Sequence, residues 1–146
     1  VARIALGSKE TLELGNLNAL RDWGYAPEYV AAMRKILSQP LGDDFVLATG
    51  KLTSVRDFAR ECFRTVGIEM EWEGEDAEEK GYDGKTGNLL VSVNPVFYRP
   101  IETSSFGGDS TKAKELLGWE ALVGIQELCR ILVDDAIKNT RKTLFS

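Results

Sequence analysis

Acid–base chemistry in this chain would depend on carboxylates, lysines and tyrosines, because its 146 residues include no histidine. Cys62 and Cys129 lack a short metal-ligand spacing, so a zinc site is not expected. Both lie in amphipathic helical patterns and are predicted to be buried, reduced thiols. The carboxylates of residues 75–79 have no partner ligands nearby in the sequence and are interpreted as a solvated loop. Ser54 precedes a helical pattern, so it is interpreted as a helix cap rather than as a nucleophile.

The charge balance excludes two classes of partner. The formal net charge is −5, which would repel nucleic acid and anionic membrane surfaces. A phosphorylated ligand would therefore have to be held by a few locally placed cations, and arginine suits that task because its planar fork makes paired hydrogen bonds to phosphate oxygens. No stretch approaches about 20 apolar residues and no signal-peptide pattern opens the chain, so the expected compartment is the cytoplasm, without a membrane partner.

Short helices and short strands alternate along the chain. Helices are predicted over 1–6, 27–37, 54–66, 112–117 (with Asp109 or Ser110 as its cap) and from Ile125 through Ala136. Strands are predicted over 11–14, 44–49, 68–72 and 88–93, residues 21–24 are expected to be extended, and the acidic segment 74–87 is expected to be a mobile surface loop. The strands are too short and irregular for a doubly wound parallel sheet. The sequence therefore predicts one α+β domain over residues 1–146, with helices around small, short-stranded sheets.

Four segments follow one another in a distinctive order: Leu14–Leu17, Arg21–Ala26 with Tyr29 and Val30, Tyr98–Glu102, and Gly108–Ala113 with Leu117–Trp119. Together they resemble the C-terminal, substrate-binding part of the GDP-mannose 4,6-dehydratases, enzymes of the extended short-chain dehydrogenase/reductase type. Residues 48–50 and 54–56 are also similar. The resemblance covers nearly the whole chain and is weakest over residues 74–87.

The cofactor-binding and catalytic half of that family has no counterpart here. No Gly-x-x-Gly-x-x-Gly fingerprint follows a strand, and Gly81 to Gly87 lacks the strand-turn-helix frame that such a fingerprint needs. The family's Tyr-x-x-x-Lys pair is also missing, since no tyrosine is followed by lysine four residues later. The resemblance therefore implies an α+β substrate lobe without its Rossmann domain. This chain alone is expected to bind no cofactor; NADP is implied for the complete family enzyme, and a separate Rossmann half is a possible partner.

The resemblance also implies site residues. Its pattern places phosphate-binding arginines at Arg21 and Arg99, and it assigns the ribose diol to Glu102, whose carboxylate can accept two hydroxyl protons. Leu14, Gly15 and Asn16 resemble the segment whose backbone lies along the base; Asn16 is the candidate ligand there, and Leu14 is equally explained as part of a strand core. Asp22 and Trp23 are expected to be structural, anchoring the strand that presents Arg21. Catalytic and metal-binding residues are not predicted.

Three functions remain open from the sequence. The first is the lobe of a GDP-mannose 4,6-dehydratase, which would bind the diphosphate and ribose of GDP-mannose for conversion to GDP-4-keto-6-deoxymannose without being catalytic alone. The second is a free-standing nucleotide-sugar-binding module or inert remnant. The third is the lobe of a related GDP-sugar reductase or epimerase, because arginines suit the diphosphate of any nucleotide sugar.

Overall fold

The computed structural model describes residues 1–99 and 107–144. Within them the chain forms five α-helices, six β-strands and a short 3-10 helix over Asp76–Glu78. The helices are α1 (Ala2–Ala5), α2 (Ala26–Leu37), α3 (Val55–Arg64), α4 (Thr111–Leu117) and α5 (Ile125–Leu144). The strands are β1 (Leu12–Leu14), β2 (Leu20–Asp22), β3 (Leu52–Ser54), β4 (Met70–Glu73), β5 (Lys80–Asp83) and β6 (Leu89–Val93).

The strands form two small sheets. The larger has the order β1-β6-β5-β4, in which β1 and β6 are parallel, with Leu12 opposite Val91, and the other neighbours are antiparallel. The smaller sheet pairs β2 with β3 in antiparallel fashion, with Leu20 opposite Ser54. These short mixed sheets with surrounding helices confirm the predicted α+β class.

Local side chains explain where the helices begin. The Ser54 hydroxyl accepts a hydrogen bond from the Asp57 N–H at 3.0 Å and donates one to the Asp57 carboxylate at 2.7 Å, so the predicted cap of α3 is confirmed. Pro27 lies in the first turn of α2, where its missing N–H is not needed. Ser110 occupies the cap position of α4 without a side-chain bond, while the Asp109 carboxylate accepts the Thr111 N–H at 2.9 Å.

The core consists of three apolar clusters. The first joins the larger sheet to α3 and contains Leu17, Phe63, Met70, Leu90, Val91 and Val93. The second lies between α2 and α4 and contains Ala32, Ala113, Leu117 and Trp119. The third lies between α3 and α5 and contains Cys62, Cys129 and Val133. Both cysteines are buried free thiols, as the sequence predicts.

The predicted strand over 44–49 is wrong. The segment forms no ladder with any strand in the described ranges, and β3 lies further along the chain at Leu52–Ser54. Its side chains still alternate: Phe45 and Leu47 pack against the cluster between α2 and α4, whereas Val46 is 54% exposed. The strand-like pattern therefore reflects an apolar segment lying on helices, since a strand also requires a neighbour to pair with.

The predicted mobile loop over 74–87 is also wrong, because β5 lies within it as a central strand of the larger sheet. Gly81 is buried where two large side chains cover the strand: an added Cβ would lie 2.6 Å from Met70 Cε and 2.9 Å from Trp72 Cζ3. Glu79, interpreted from the sequence as part of a solvated carboxylate run, is only 3% exposed and forms an ion pair with Arg56. In this segment the glycine marks a tightly packed position of a strand, and the buried carboxylate of Glu79 has a partner that is distant in the sequence.

Candidate functional site

Arg21, the first predicted phosphate ligand, lies in the middle of β2 with its side chain exposed. It is opposite Thr53 of β3, and its Nη1 donates a hydrogen bond to the Leu20 carbonyl at 2.8 Å. A two-stranded antiparallel ribbon therefore presents this guanidinium to the surface.

The two residues after Arg21 hold that ribbon in place. The Asp22 carboxylate accepts hydrogen bonds from the N–H groups of residues 49–50 at 3.0 and 2.9 Å and from the hydroxyl of Thr49 at 2.6 Å. The Trp23 ring stacks on Phe58 of α3 with the centroids 4.0 Å apart, and its indole N–H donates to the Thr53 carbonyl at 3.0 Å. These contacts give Asp22 and Trp23 the anchoring geometry that the sequence predicts for them.

Asn16 and Arg99, 83 residues apart, are brought together by the fold. The Asn16 side-chain N–H donates to the Arg99 carbonyl at 3.4 Å, and its Oδ1 accepts the backbone N–H of Asn18 at 2.9 Å. The backbone also approaches closely, because a Cβ on Gly15 would lie 2.5 Å from the Phe97 carbonyl oxygen. Only glycine therefore fits this crossing without a shift of the backbone.

Asn94 holds the turn that carries Arg99. Its N–H donates to the Leu14 carbonyl at 2.8 Å, and its side-chain amide donates to the Glu13 carboxylate at 3.2 Å. Its carbonyl accepts the N–H groups of Phe97 and Tyr98 at 2.9 and 3.0 Å. We call residues 13–18 and 94–99 the Asn16–Arg99 corner. Its polar contacts form where parallel strands β1 and β6 end side by side.

The chain from Asn16 to β2 is docked on the start of α3. The carbonyl groups of Leu17 and Ala19 accept the N–H groups of Arg56 and Val55, each at 3.0 Å. The same helix end that is capped by Ser54 therefore supports the segment between Asn16 and Arg21. Of the two candidate arginines, Arg21 lies on the smaller sheet and Arg99 lies beyond the end of β6 in the larger sheet. Glu102, the predicted ribose ligand, lies outside the described residues.

A partly buried polar cluster beside the corner was missed from the sequence. Arg56 donates to both carboxylate oxygens of Glu79 at 2.5 and 2.6 Å and to Asn18 Oδ1 at 2.7 Å. The hydrogen bond and the negative charge of Glu79 raise the pKa of Arg56 above its ordinary value, against the opposing effect of burial. The sequence carries no signal for this pair, since its members are 23 residues apart and belong to different elements.

Tyr98, next to Arg99, faces the same cluster. Partial burial, the Asp76 charge and a hydrogen bond to the Asp76 carboxylate raise the pKa of Tyr98 above 10.0. The phenol is therefore held in its neutral form, which can donate a hydrogen bond to that carboxylate.

The described residues provide no dinucleotide cradle. Gly81 to Gly87, the glycine-bearing stretch considered in the sequence, runs through β5 into the turn before antiparallel β6 and leads to no helix. A pyrophosphate-binding fingerprint needs the N-terminus of a helix directly after its turn, so these residues do not fit NADP. Over the described ranges there is also no group of three or more potential metal ligands. None of the helices in those ranges has the length and apolar character of a membrane span.

Solved structures share this fold over part of their length. RMD from Pseudomonas aeruginosa, solved in complex with NADPH, superposes with a TM-score of 0.72 at 16% identity, covering 94% of this chain and 40% of that one. UDP-glucose 4-epimerase from Bifidobacterium longum, solved with NAD+ and UDP, superposes with a TM-score of 0.63 at 16% identity, covering 88% of this chain and 35% of that one. At such low identity these likenesses establish the fold alone.

Sequence comparison establishes the family. The family model described as GDP-mannose 4,6 dehydratase matches residues 1–132. This chain is 46% identical to GDP-mannose 4,6-dehydratase sdnI of Sordaria araneosa, 47% to GDP-mannose 4,6 dehydratase 2 of Caenorhabditis elegans and 44% to the human GDP-mannose 4,6 dehydratase, in each case over 91% of its length. It spans 24%, 35% and 36% of those relatives, respectively. The chain belongs to the GDP-mannose 4,6-dehydratase family.

Proposed function

We propose that this chain is the substrate-binding lobe of a GDP-mannose 4,6-dehydratase and binds the diphosphate and ribose of GDP-mannose. The Asn16–Arg99 corner carries the proposal, because it brings two predicted ligand residues from distant parts of the sequence to one surface. In this role Arg21 and Arg99 bind the diphosphate through charge-assisted hydrogen bonds. Asn16 lies along the base, and Glu102 binds the ribose diol.

The lobe contributes placement and no proton or hydride transfer. Its sequence has neither the Tyr-x-x-x-Lys pair nor a cofactor fingerprint. The rest of the enzyme therefore supplies the catalytic residues and NADP for the conversion to GDP-4-keto-6-deoxymannose. Holding a sugar in a reactive orientation is itself a large contribution, since proximity and orientation can supply about 7–11 kcal/mol of a barrier. The proposed pathway role is the supply of this keto-deoxysugar for fucose and related deoxysugars.

The partner of the lobe in this proposal is the Rossmann half of the dehydratase. The exposed side chains of Val30, Met33 and Leu37 on α2 and of Val46 beside it form what we call the α2 face, and Val30, Met33 and Val46 are 55%, 55% and 54% exposed. An open groove of about 570 Å³ runs between α2 and residues 46–48. Segment 44–49 has the pattern of a strand and pairs with no strand among the described residues. This chain spans 35% and 36% of two of its relatives, and the Rossmann half of such an enzyme is the occupant that we assign to this face.

The shared fold of a UDP-binding epimerase favours one alternative, a lobe that binds a different nucleotide sugar. A phosphate-binding arginine does not distinguish guanine from uracil, so the base preference is decided by the Asn16 segment. These two assignments differ in which nucleotide sugar binds. A free-standing binding module differs from both, because it would bind a nucleotide sugar without any contribution from a Rossmann half.

Titration calorimetry with GDP-mannose, UDP-glucose and a dTDP-sugar tests the proposal on this chain. We expect GDP-mannose to bind most tightly, and Arg21→Ala or Arg99→Ala to weaken binding at least about tenfold, the loss of one charge-assisted hydrogen bond. Arg64→Ala is the matched control, because Arg64 is an exposed arginine at the far end of α3. Unchanged affinity in both arginine variants, or preference for a UDP- or dTDP-sugar, would contradict the assignment.

A further inference from the structure

The ion pair between Arg56 of α3 and Glu79 before β5 joins a partly buried guanidinium to a buried carboxylate. The two side chains are 23% and 4% exposed, and both guanidinium contacts to the carboxylate are short, at 2.5 and 2.6 Å. A buried ion pair adds little net stability compared with apolar side chains of similar size, because desolvation of the charges offsets their attraction. The further hydrogen bond from Arg56 to Asn18 indicates a second role for this pair.

Arg56 fixes the orientation of Asn18 in the corner. Its Nη2 donates to Asn18 Oδ1 at 2.7 Å, which leaves the Asn18 amide N–H groups directed to the Asp76 carboxylate at 3.4 Å. A guanidinium only donates and a carboxylate only accepts, so the amide is oriented at both ends. The backbone N–H of Asn18 in turn donates to Asn16 Oδ1, and Asn16 donates to the Arg99 carbonyl. A continuous path therefore runs from the ion pair to Arg99.

Asp76 holds the other end of the Asn18 amide. This residue has a φ of 50°, a left-handed conformation that is uncommon outside glycine and that the surroundings must hold in place. Its carboxylate accepts a hydrogen bond from the Asn18 amide at 3.4 Å. Asn18 is therefore held from two sides, by Arg56 of α3 and by Asp76 in the segment before β5.

The cavity beside the pair is unsuited to phosphate. It has a volume of about 270 Å³ and is lined by three carboxylates (Glu75, Asp76 and Glu79) and one guanidinium, together with Asn18 and Gly74. An anionic ligand would be repelled there. Arg56 therefore acts through its neighbours and does not bind the nucleotide itself.

We propose that Arg56 and Glu79 are positioning residues, which orient Asn16 and Arg99 for the nucleotide through Asn18 and Asp76. This inference rests on the proposed function, since it supplies the support for the proposed ligand residues. The pair holds the corner in its binding conformation before ligand arrives, so its loss reduces affinity while the fold persists.

Two variants of the whole chain separate positioning from stability. Asn18→Ala cuts the path from Arg56 to the corner and leaves the ion pair intact, and Asn18 is exposed, so the variant folds. The double variant Arg56→Met with Glu79→Met removes both charges and keeps apolar volume, which preserves stability. Arg60→Met is the control, because it removes an exposed ion pair with Asp57 one turn further along the same helix.

Three measurements are made on each protein: the Kd for GDP-mannose, the urea midpoint of unfolding, and hydrogen exchange of the residue-18 backbone amide by NMR. We expect Asn18→Ala and the double variant to weaken GDP-mannose binding about tenfold, corresponding to about 1.4 kcal/mol. The residue-18 amide exchanges about tenfold faster in the double variant, because its acceptor on Asn16 is no longer held. The control keeps the wild-type Kd and exchange rate.

Wild-type affinity and exchange in both variants would overturn the positioning role and leave the pair merely structural. Failure of the wild-type chain to bind GDP-mannose would instead overturn the proposed function. The exchange measurement then decides the ordering role by itself, because it needs no ligand: faster exchange supports it and an unchanged rate contradicts it.

Discussion

The Asn16–Arg99 corner and the α2 face differ in how completely this chain provides their partners. At the corner, side-chain amides, backbone carbonyls and a buried ion pair bond to one another across four stretches of sequence. On the α2 face, Val30 and Met33 remain more than half exposed, while Ala32 of the same helix is fully buried. The corner is a set of polar groups that bond to one another, whereas the α2 face is an exposed apolar surface.

This difference separates two tasks of the proposed lobe. A binding residue must have its geometry fixed before the ligand arrives, which requires partners within the same folded unit. An apolar surface gains stability when a second unit covers it, so its exposure in the lobe alone is expected if the rest of a dehydratase covers it. Substitutions at the corner should therefore destabilise this chain by itself, whereas polar substitutions on the α2 face should leave its stability nearly unchanged.

Around the corner, the largest effect is expected from the single substitution Arg56→Met. It leaves the Glu79 carboxylate buried without its cation, which costs about 3–5 kcal/mol, a large share of a typical unfolding free energy. The urea dependence of unfolding measures this loss. Arg60→Met, which breaks an exposed pair, should cost about 1 kcal/mol or less. Equal losses in the two variants would show that the corner is no more dependent on its partners than the surface is.

Gly15→Ala tests the backbone crossing at the corner. The new Cβ would lie 2.5 Å from the Phe97 carbonyl oxygen, so the turn that carries Arg99 must move. We expect a loss of about 1–3 kcal/mol in unfolding free energy. Gly42→Ala is the control, because no atom lies within 4 Å of its added Cβ, and its stability should be unchanged or slightly higher. A wild-type melting temperature for Gly15→Ala would contradict the crossing.

On the α2 face, Val30→Glu combined with Met33→Lys should change the unfolding free energy by about 0.5 kcal/mol or less, because both side chains are exposed and the new pair is spaced i, i+3 on one helix. Ala32→Glu is the matched control on the same helix. It directs a charge into the cluster with Trp119 and should unfold the protein. Strong destabilisation by the double change would show that this chain already covers the face by itself.

The smallest effect is the ionisation of Tyr98 at high pH. Its pKa is raised in the folded chain, so the stability that it contributes is fully present below about 10 and is lost as the pH rises through the folded value. Asp76→Asn removes the neighbouring charge and should lower the pKa of Tyr98 towards its ordinary range. Absorbance titration near 295 nm, with Tyr98→Phe subtracted, measures it. An unchanged titration in Asp76→Asn would separate Tyr98 from the corner network.

Features that depend on near neighbours could be predicted from the sequence. The cap of α3 lies three residues from its partner, and the apolar face of α5 repeats within a few turns, so local spacing was enough there. On α2 the same spacing marks Val30, Met33 and Leu37, which are exposed, whereas the buried residue is Ala32. The strand predicted over 44–49 and the loop predicted over 74–87 failed for the opposite reason. Whether a segment joins a ladder depends on a neighbouring strand, and composition records neither the neighbour nor the side chains that cover it.

By itself the sequence determined the α+β class, the positions of the helices, the absence of histidine chemistry and the motifs that resemble the dehydratases. It did not determine the end of α5, which was predicted at Ala136 and lies at Leu144. Only the tertiary structure decided that Asn16 meets Arg99 across 83 residues and that Glu79 is buried against Arg56. The physical reason is that a buried charge or amide must be satisfied by whichever partner the packing brings within about 3 Å, and that partner has no fixed distance along the chain.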